Sequence, residues 1–503
     1  MCQEERVRGP WNTPLLDTEL HTPTSQRRRC FGWLPLRYVV ALLGMLGCMM
    51  DYLVRIGLSV AIVAMVNNTQ PINNTHVSME GACPAASNAS HDDDNQTGDE
   101  DFEWSLEEQG IILGTFFWGY FFTKTIGGRI SEIIGGRETM AISLGVSGLL
   151  SMLCPYAAHI HPMALASIRF IIGLVQGPAF PALYSVLASW APPDELATTV
   201  TIAYSGLSMG SLVALGASEW VVHQLGWQWV FWGGGILAVI WTPLWLYFVR
   251  NSPIHHPLIS TEEEELLAVN FSIKPRRHVP WGRLLRCWRF YPSILTEFSS
   301  SWVGNQTITE APFFLKMQIG MRMTEVSWVL AIGHTCAWVW SFCFGRISDL
   351  LIQHCILSKL NTRRSMHVIA TVLVVVGLLC IVWGGCQKWV VSAMLVVVMI
   401  GSSCTICTFT LSPLDLAPNY AGTMSGLLGI GNISGFLAPI ATAEIITKTS
   451  SWTGSLLLGG GLYLLTGIIY IATVTTEVQD WNYYEDMDSS IDDEEPRRQP
   501  LLQ

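Results

Sequence analysis

Gly128-Arg129-Ile130-Ser131-Glu132-Ile133-Ile134 reappears, type for type, as Gly345-Arg346-Ile347-Ser348-Asp349-Leu350-Leu351. Each copy follows the second of six apolar runs, so the chain reads as two parallel repeats of six spans. Such repeats place a solute site at their junction, near the middle of the bilayer. The first copy continues through Gly135-Gly136-Arg137, which completes a Gly-x-x-x-acid-x-x-Gly-x-Arg loop. A carboxylate and an arginine at helix ends can cap and pair across the halves in one state and part in the other. Gly128, Glu132, Arg137, Gly345 and Asp349 are therefore expected to form a gating loop and its repeat. Ordinary loop charge would account for one such segment but not for its duplication.

The apolar runs around this repeat are of membrane length. Of 503 residues, 50% are hydrophobic and 13% charged, against about 25% charged in a soluble domain. Val368 to Cys386 and Val390 to Leu411 carry no charge, and roughly 20 apolar residues suffice to cross the hydrocarbon. Twelve spans are expected at about 37–66, 109–127, 138–157, 161–190, 196–219, 228–249, 290–315, 325–350, 366–386, 389–412, 420–446 and 453–474. The fold class is thus an all-α membrane protein with a tail at 1–36, a first six-helix half at 37–250, a linker at 251–289, a second half at 290–475 and an acidic tail at 476–503. The linker holds Thr261 to Leu267, "TEEEELL", which reads as a short surface helix. No cleavable signal is expected in the polar first thirty residues. The thirteen cysteines read as small apolar packing residues rather than a disulfide framework, and Cys404-x-x-Cys407 lacks a ligand cluster around it.

Charge orients the chain. The N-terminal tail, the linker, and the loop with Lys359, Arg363 and Arg364 are basic, whereas residues 67–108 hold no Lys or Arg and many acids. That loop also carries sequons at Asn67, Asn73, Asn88 and Asn95, which read as N-glycosylation sites on a lumenal or extracellular face. Both termini are then cytosolic. Sequons at Asn270, Asn305 and Asn432 fall on the other side or inside spans and read as accidental.

Charges inside spans are costly and mark function. Arg55 lies midway along the first span, with Asp51 four residues earlier on the same face, where the two can pair. Arg169 heads a stripe of Gly173, Gly177 and Pro181 in the fourth span; small residues let a helix or a substrate come close. Two arginines facing one cavity would bind a carboxylate or phosphate. Asp51, Lys124 and Glu310 are candidates for ion coupling, Glu310 because it stands near Pro312, where a broken helix can face a cavity. Glu219 and Glu297 read as solvated interfacial residues, and His334 as a satisfied packing residue.

"RIGLSVAIVAMVNN" in the first span, Glu107 to Tyr120, Arg169-x-x-x-Gly-x-x-x-Gly-x-x-x-Pro-Ala, "WAPPDE" from Trp190, Leu414 to Asn432 ("LDLAPNYAGTMSGLLGIGN") and "EVQDW" from Glu477 together resemble one family. It is the anion/cation symporter family (solute carrier family 17) of the major facilitator superfamily, which includes sialin, the vesicular glutamate and nucleotide transporters and the type I sodium–phosphate cotransporters. The sequon-rich first loop is most similar to that of the sialin type. The resemblance implies that Arg55 and Arg169 are substrate-associated arginines. It also exposes departures. The two fourth-span glutamates of sialin-like members are Ile172 and Gln176 here, and the histidine and seventh-span arginine of glutamate-transporting members are Leu113 and Ser300.

The expected function is secondary transport of a small organic anion (sialate, an acidic amino acid, a nucleotide or similar), coupled to protons or driven by membrane potential. Alternatives are a sodium-coupled phosphate or organic-anion cotransporter at the plasma membrane, and a non-transporting sensor or scaffold that keeps the fold. No enzymatic activity, cofactor, metal or nucleic-acid partner is expected; the partners are the anion, H+ or Na+, and the bilayer, with the monomer as working unit. "TPLLDTEL" from Thr13 and "RRQPLL" from Arg497 favour lysosomal or secretory-vesicle membranes, with the plasma membrane as alternative.

Overall fold

A computed structural model describes residues 34–66, 83, 102–254, 256–267 and 279–483, and helices account for nearly all of these. The first bundle consists of α1 (Leu36–Met65), α2 (Leu106–Ile134), α3 (Gly136–Ile160), α4 (Pro162–Gln176), α5 (Ala179–Trp190), α6 (Leu196–Tyr204), α7 (Gly206–Leu225) and α8 (Gln228–Phe248). Two short helices follow, α9 (Thr261–Leu267) and α10 (Trp281–Leu285). The second bundle holds α11 (Tyr291–Asn305), α12 (Ala311–Met317), α13 (Met323–Gln353), α14 (Lys359–Gly384), α15 (Lys388–Cys404), α16 (Ser412–Leu416), α17 (Ala421–Leu428), α18 (Ser434–Thr449) and α19 (Thr453–Thr473). The four sequon asparagines of the first loop lie outside the described residues.

Among the described residues, ten stretches are long and apolar enough to cross a membrane by length and composition. The expected second and seventh spans are helical but more polar. α2 carries Lys124, Arg129 and Glu132, and α11 to α12 carries Glu297, Glu310 and Lys316. Both line an internal cavity, where Lys124, Glu297 and Lys316 face water rather than lipid.

Local chemistry sets the breaks. α2 starts at a capping box: Ser105 Oγ accepts from Glu108 N at 3.2 Å, and Ser105 N donates to Glu108 Oε2 at 2.9 Å. It ends at Gly135, whose φ of 114° is a backbone state that only glycine adopts readily and that turns the chain directly into α3. Between α11 and α12 the helix widens into a π turn, Gln306–Glu310, just before Pro312; proline lacks the N–H that would continue the ladder.

The glycine stripe of the fourth span serves α2 rather than a substrate. A Cβ on Gly173 would lie 2.1 Å from the Phe116 carbonyl oxygen, and one on Gly119 would lie 2.3 Å from that of Phe170. The two backbones are in direct contact, which dispersion and the absence of side chains favour. A large core joins α1 through α9, with Leu411, Leu414 and Ala421 added from the second bundle, and a separate one fills the second bundle around Val303, Leu315, Leu378 and Leu395.

Two expectations change here. The "TEEEELL" helix is not merely a surface element, because Glu263 is buried and accepts from Leu36 N at 2.9 Å and Arg37 N at 2.8 Å. Those are orphan donors at the start of α1, where a carboxylate is favoured. The cysteines are not all packing residues either: Cys83 and Cys386 form a disulfide, and Cys355 is disulfide-bonded as well. Cys83 and Cys386 both lie outside the helices, and a pairing across 303 residues leaves no mark in local spacing. Cys404 and Cys407 are buried free thiols.

Candidate functional site

Between the bundles lies a cavity of about 2220 Å³. Its mouth is formed by Glu103, Trp104, Gly226, Lys316 and Val326, at the end of the molecule where α2 begins. Its floor is formed by Lys124, Tyr184, Tyr204, Glu297 and Phe409. The duplicated Gly-Arg segments lie beyond the floor, at the opposite end.

Arg55 projects from α1 into this space. Its guanidinium carbon sits 4.8 to 5.4 Å from the ring centres of Phe117, Tyr120, Phe116 and Tyr52. Among the described residues its guanidinium has neither a hydrogen bond nor an ion pair. Aromatic faces stabilise a cation without neutralising it, so Arg55 presents its charge to whatever enters. Arg169 plays a different part. It is buried, and its guanidinium donates to the carbonyls of Val54 at 3.1 Å and Arg55 at 2.9 Å. It therefore fixes the turn of α1 that carries Arg55, and it shares the Phe116 ring at 5.2 Å. Two arginines facing one cavity were expected, and both belong to its lining, but Arg55 projects into the space whereas Arg169 is buried at the wall and held by the α1 backbone.

Asp51 does not pair with Arg55. It is 1% exposed, outside the cavity lining, and neither carboxylate oxygen has a hydrogen-bond partner. The four-residue spacing was right, but the bulky Tyr52, Phe116 and Phe117 draw the guanidinium away. Glu310 is turned from the cavity too: Thr307, Ile308, Thr309 and Pro312 line it, while Glu310 is buried in the second bundle. There it accepts from Thr442 Oγ1 at 3.1 Å, and the Thr442 and Ser455 hydroxyls lie 2.6 Å apart. The π turn rotates the carboxylate away from the face that the proline exposes.

Lys124 does reach the cavity, and its partner is a residue that sequence reasoning assigned to solvent. Lys124 Nζ lies 4.0 Å from Glu297 Oε1 across the junction of the bundles. Asn432 Nδ2 donates to the same carboxylate oxygen at 2.6 Å. Rings of Tyr120 and Phe180 flank the ammonium at 5.4 and 5.7 Å. The signal that could have found Glu297 was its place in the more polar of the two seventh-span faces, shared with Ser300, Ser301 and Gly304. His334 also lines the cavity, and its Nε2 has no partner, so it is not the satisfied packing residue expected. Leu113 and Ser300 line the cavity, whereas Ile172 and Gln176 are fully buried, with Gln176 donating to Ser147 Oγ at 3.3 Å. Glu444 is exposed and paired with Lys448 at 2.7 Å, and the side chain of Glu219 lies outside those described.

The floor is closed by the duplicated segments, which are not loops but the last turns of α2 and α13. Glu132 accepts from Thr423 N at 2.7 Å and Thr423 Oγ1 at 2.6 Å, in the first turn of α17. Asp349 accepts from Ala197 N at 3.1 Å and Thr198 N at 2.6 Å, in the first turn of α6. Each acid thus caps a helix of the opposite bundle. Arg137 does not cross. It pairs with Glu138 at 2.9 Å and donates to the Leu246 carbonyl, both within its own bundle, because Gly135 turns it away from α17.

Comparisons agree with this architecture. Residues 40–439 match the model of the Major Facilitator Superfamily. The chain is 30% identical over 485 residues to vesicular glutamate transporter 1 of Bos taurus, covering 93% of this chain and 82% of that one. It is 28% identical over 451 residues to sialin of Homo sapiens, covering 88% and 90%. The proton:xylose symporter XylE, solved with 6-bromo-6-deoxy-D-glucose, superposes with a TM-score of 0.65 at 14% identity, over 90% of this chain and 98% of that one. The family and these relatives are transporters rather than enzymes, and the chain belongs to the Major Facilitator Superfamily, in the branch that holds sialin and the vesicular glutamate transporters.

Proposed function

We propose that this protein is a secondary active transporter of small organic anions that works by alternating access. The observation that carries the reading is Arg55: an unneutralised guanidinium, boxed by four aromatic rings, at the junction of the two bundles. A half-buried cation that makes no ion pair favours an anionic ligand, and guanidinium binds carboxylate or phosphate in two-pronged fashion. Twelve spans with both termini in the cytosol fit this role, the cavity mouth and the glycosylated loop 67–108 facing the lumen or exterior. A lysosomal or vesicular membrane fits the relatives named sialin and vesicular glutamate transporter.

One observation favours sodium coupling as a second reading. Glu310, Thr442 and Ser455 bring carboxylate and hydroxyl oxygens together in a buried pocket, and Glu310 Oε1 has no partner; hard cations take oxygen sets of this kind. Uptake into proteoliposomes under an imposed pH gradient, voltage or sodium gradient separates the readings, with sialate, glutamate, nucleotides, urate and phosphate as probes. Saturable flux that Arg55→Ala abolishes supports anion transport, and stimulation by sodium that Glu310→Gln removes supports the second reading. No flux of any anion under all three gradients would leave the fold as a sensor or scaffold.

A further inference from the structure

The floor of the cavity holds a charge pattern that the anion reading alone does not account for. Arg55 and Lys124 stand over the same ring, Tyr120, at 5.1 and 5.4 Å from its centre. They are not equivalent. Arg55 makes no ion pair, whereas Lys124 is matched by Glu297 at 4.0 Å. Lys124 belongs to α2 in the first bundle and Glu297 to α11 in the second, so the pair exists only when the bundles meet as they do here. Neither partner is free to drift. Gly429 lies against the lysine stem, where a Cβ would come within 2.8 Å of Lys124 Cδ, and Gly431 lies equally close to Glu297 Cβ and Cγ. Asn432 holds the carboxylate from the same short turn. Both side chains remain part of the lining, 11% and 19% exposed.

We propose that Glu297 is a charge filter that sets the valence of the accepted anion. A ligand with one acidic group can bind Arg55 without meeting an opposing charge. Its tail then meets the Glu297 carboxylate, which accepts hydrogen bonds from hydroxyl, amide or ammonium groups. A second acidic group would be drawn to Lys124 but would stand beside Glu297, and like charges at such range in a partly dry site discriminate strongly. The substrate class is therefore a monoanion with a hydrogen-bond-donating tail, in preference to a dianion of the same size. This rests on the anion reading and goes beyond it, because the family resemblance assigned Glu297 no role.

Succinate and succinamate share a four-carbon skeleton and differ by one acid group, which makes them suitable probes. Their half-saturating concentrations are measured by titration of the purified full-length protein and, where flux occurs, by proteoliposome uptake. Wild-type protein prefers succinamate. Glu297→Gln, which keeps the Asn432 hydrogen bond, shifts the succinate-to-succinamate ratio toward succinate by about tenfold. Lys124→Gln leaves an unpaired carboxylate and weakens both probes, and the double variant recovers succinamate binding, the coupling expected of a contacting pair. Glu297→Asp retains the wild-type preference, which separates a charge effect from a folding defect. An equal effect of Glu297→Gln on both probes, or wild-type protein that prefers succinate or binds neither, overturns the filter. Absence of flux for every anion overturns the anion reading itself.

Discussion

The two copies of the Gly-Arg-Ile-Ser-acid segment close the same end of the cavity by different means. In the first copy, Gly128 lies directly on the backbone of α17, where a Cβ would come within 2.0 Å of the Gly422 carbonyl oxygen. Glu132 then reaches one residue, Thr423, and leans on Arg129 of its own helix at 3.1 Å. In the second copy, Gly345 packs chiefly on a side chain, Thr201, with the Ala197 carbonyl oxygen farther off, 3.2 Å from where a Cβ would stand. Asp349 there takes two backbone N–H groups, and its neighbour Ser348 accepts from Arg363, which is buried and paired with Asp415 at 3.0 Å. Lys359 adds a second cation to Asp415 at 2.8 Å. One copy is a contact of shapes and the other a buried charge network. A repeat alike in sequence has diverged in the physics that it uses.

Substitutions that act on only one of these modes test the contrast. Asp349→Ala has the largest expected effect. It strands two amide donors at the start of α6, and hydrogen bonds to a charged group contribute about 1.5–3 kcal/mol each. The closed arrangement should lose about 3 kcal/mol, read as an increase of roughly a hundredfold in alkylation of a cysteine placed beyond the floor. Gly128→Ala comes next, at about 2 kcal/mol, because α2 and α17 must separate; a distance measurement between spin labels on the two helices should show the shift. Glu132→Gln keeps an acceptor for Thr423 and loses only the charge, with about 1 kcal/mol expected in the same alkylation assay. Gly345→Ala is expected to cost about 1 kcal/mol, less than Gly128→Ala, because the new methyl presses mainly on the Thr201 side chain, whose hydroxyl must shift from its bonds to the Ala197 and Thr198 carbonyls. If Gly345→Ala proves worse than Gly128→Ala, the assignment of shape to the first copy and charge to the second is wrong.

The repeat, the apolar runs and the intramembrane Arg55 were all legible in sequence, because each is a local pattern that the membrane makes expensive to ignore, although Arg55 was expected to pair with Asp51. What escaped were matters of rotation and distance. Spacing put Asp51 and Arg55 on one face, but the turn of α1, held by Arg169, sends one inward to the cavity and the other into packing. Proline marked the seventh helix as broken, yet the π turn decides that Thr307 and Pro312 face the cavity and Glu310 does not. Glu297 and Lys124 lie on helices whose mutual register no short stretch encodes. Arg363 read as one of several loop cations, although it is 1% exposed and ion-paired. The acid that pairs with it, Asp415, stood in plain view within "LDLAPNYAG".

The linker between the bundles is divided between them. Its front is fastened to the first bundle by Glu263 at the start of α1, and its back sinks Leu284 and Phe290 into the second beside Leu416 and Tyr470. Only the thirteen residues between Leu267 and Trp281 are left to bridge the two. At roughly 3.3–3.6 Å per residue that leash reaches at most about 45 Å. A segment of that length sets an upper limit on how far the two anchors can part, and within that limit the caps at the floor join the bundles. Shortening the leash by a few residues should leave transport intact until its reach matches the gap, after which turnover should fall abruptly.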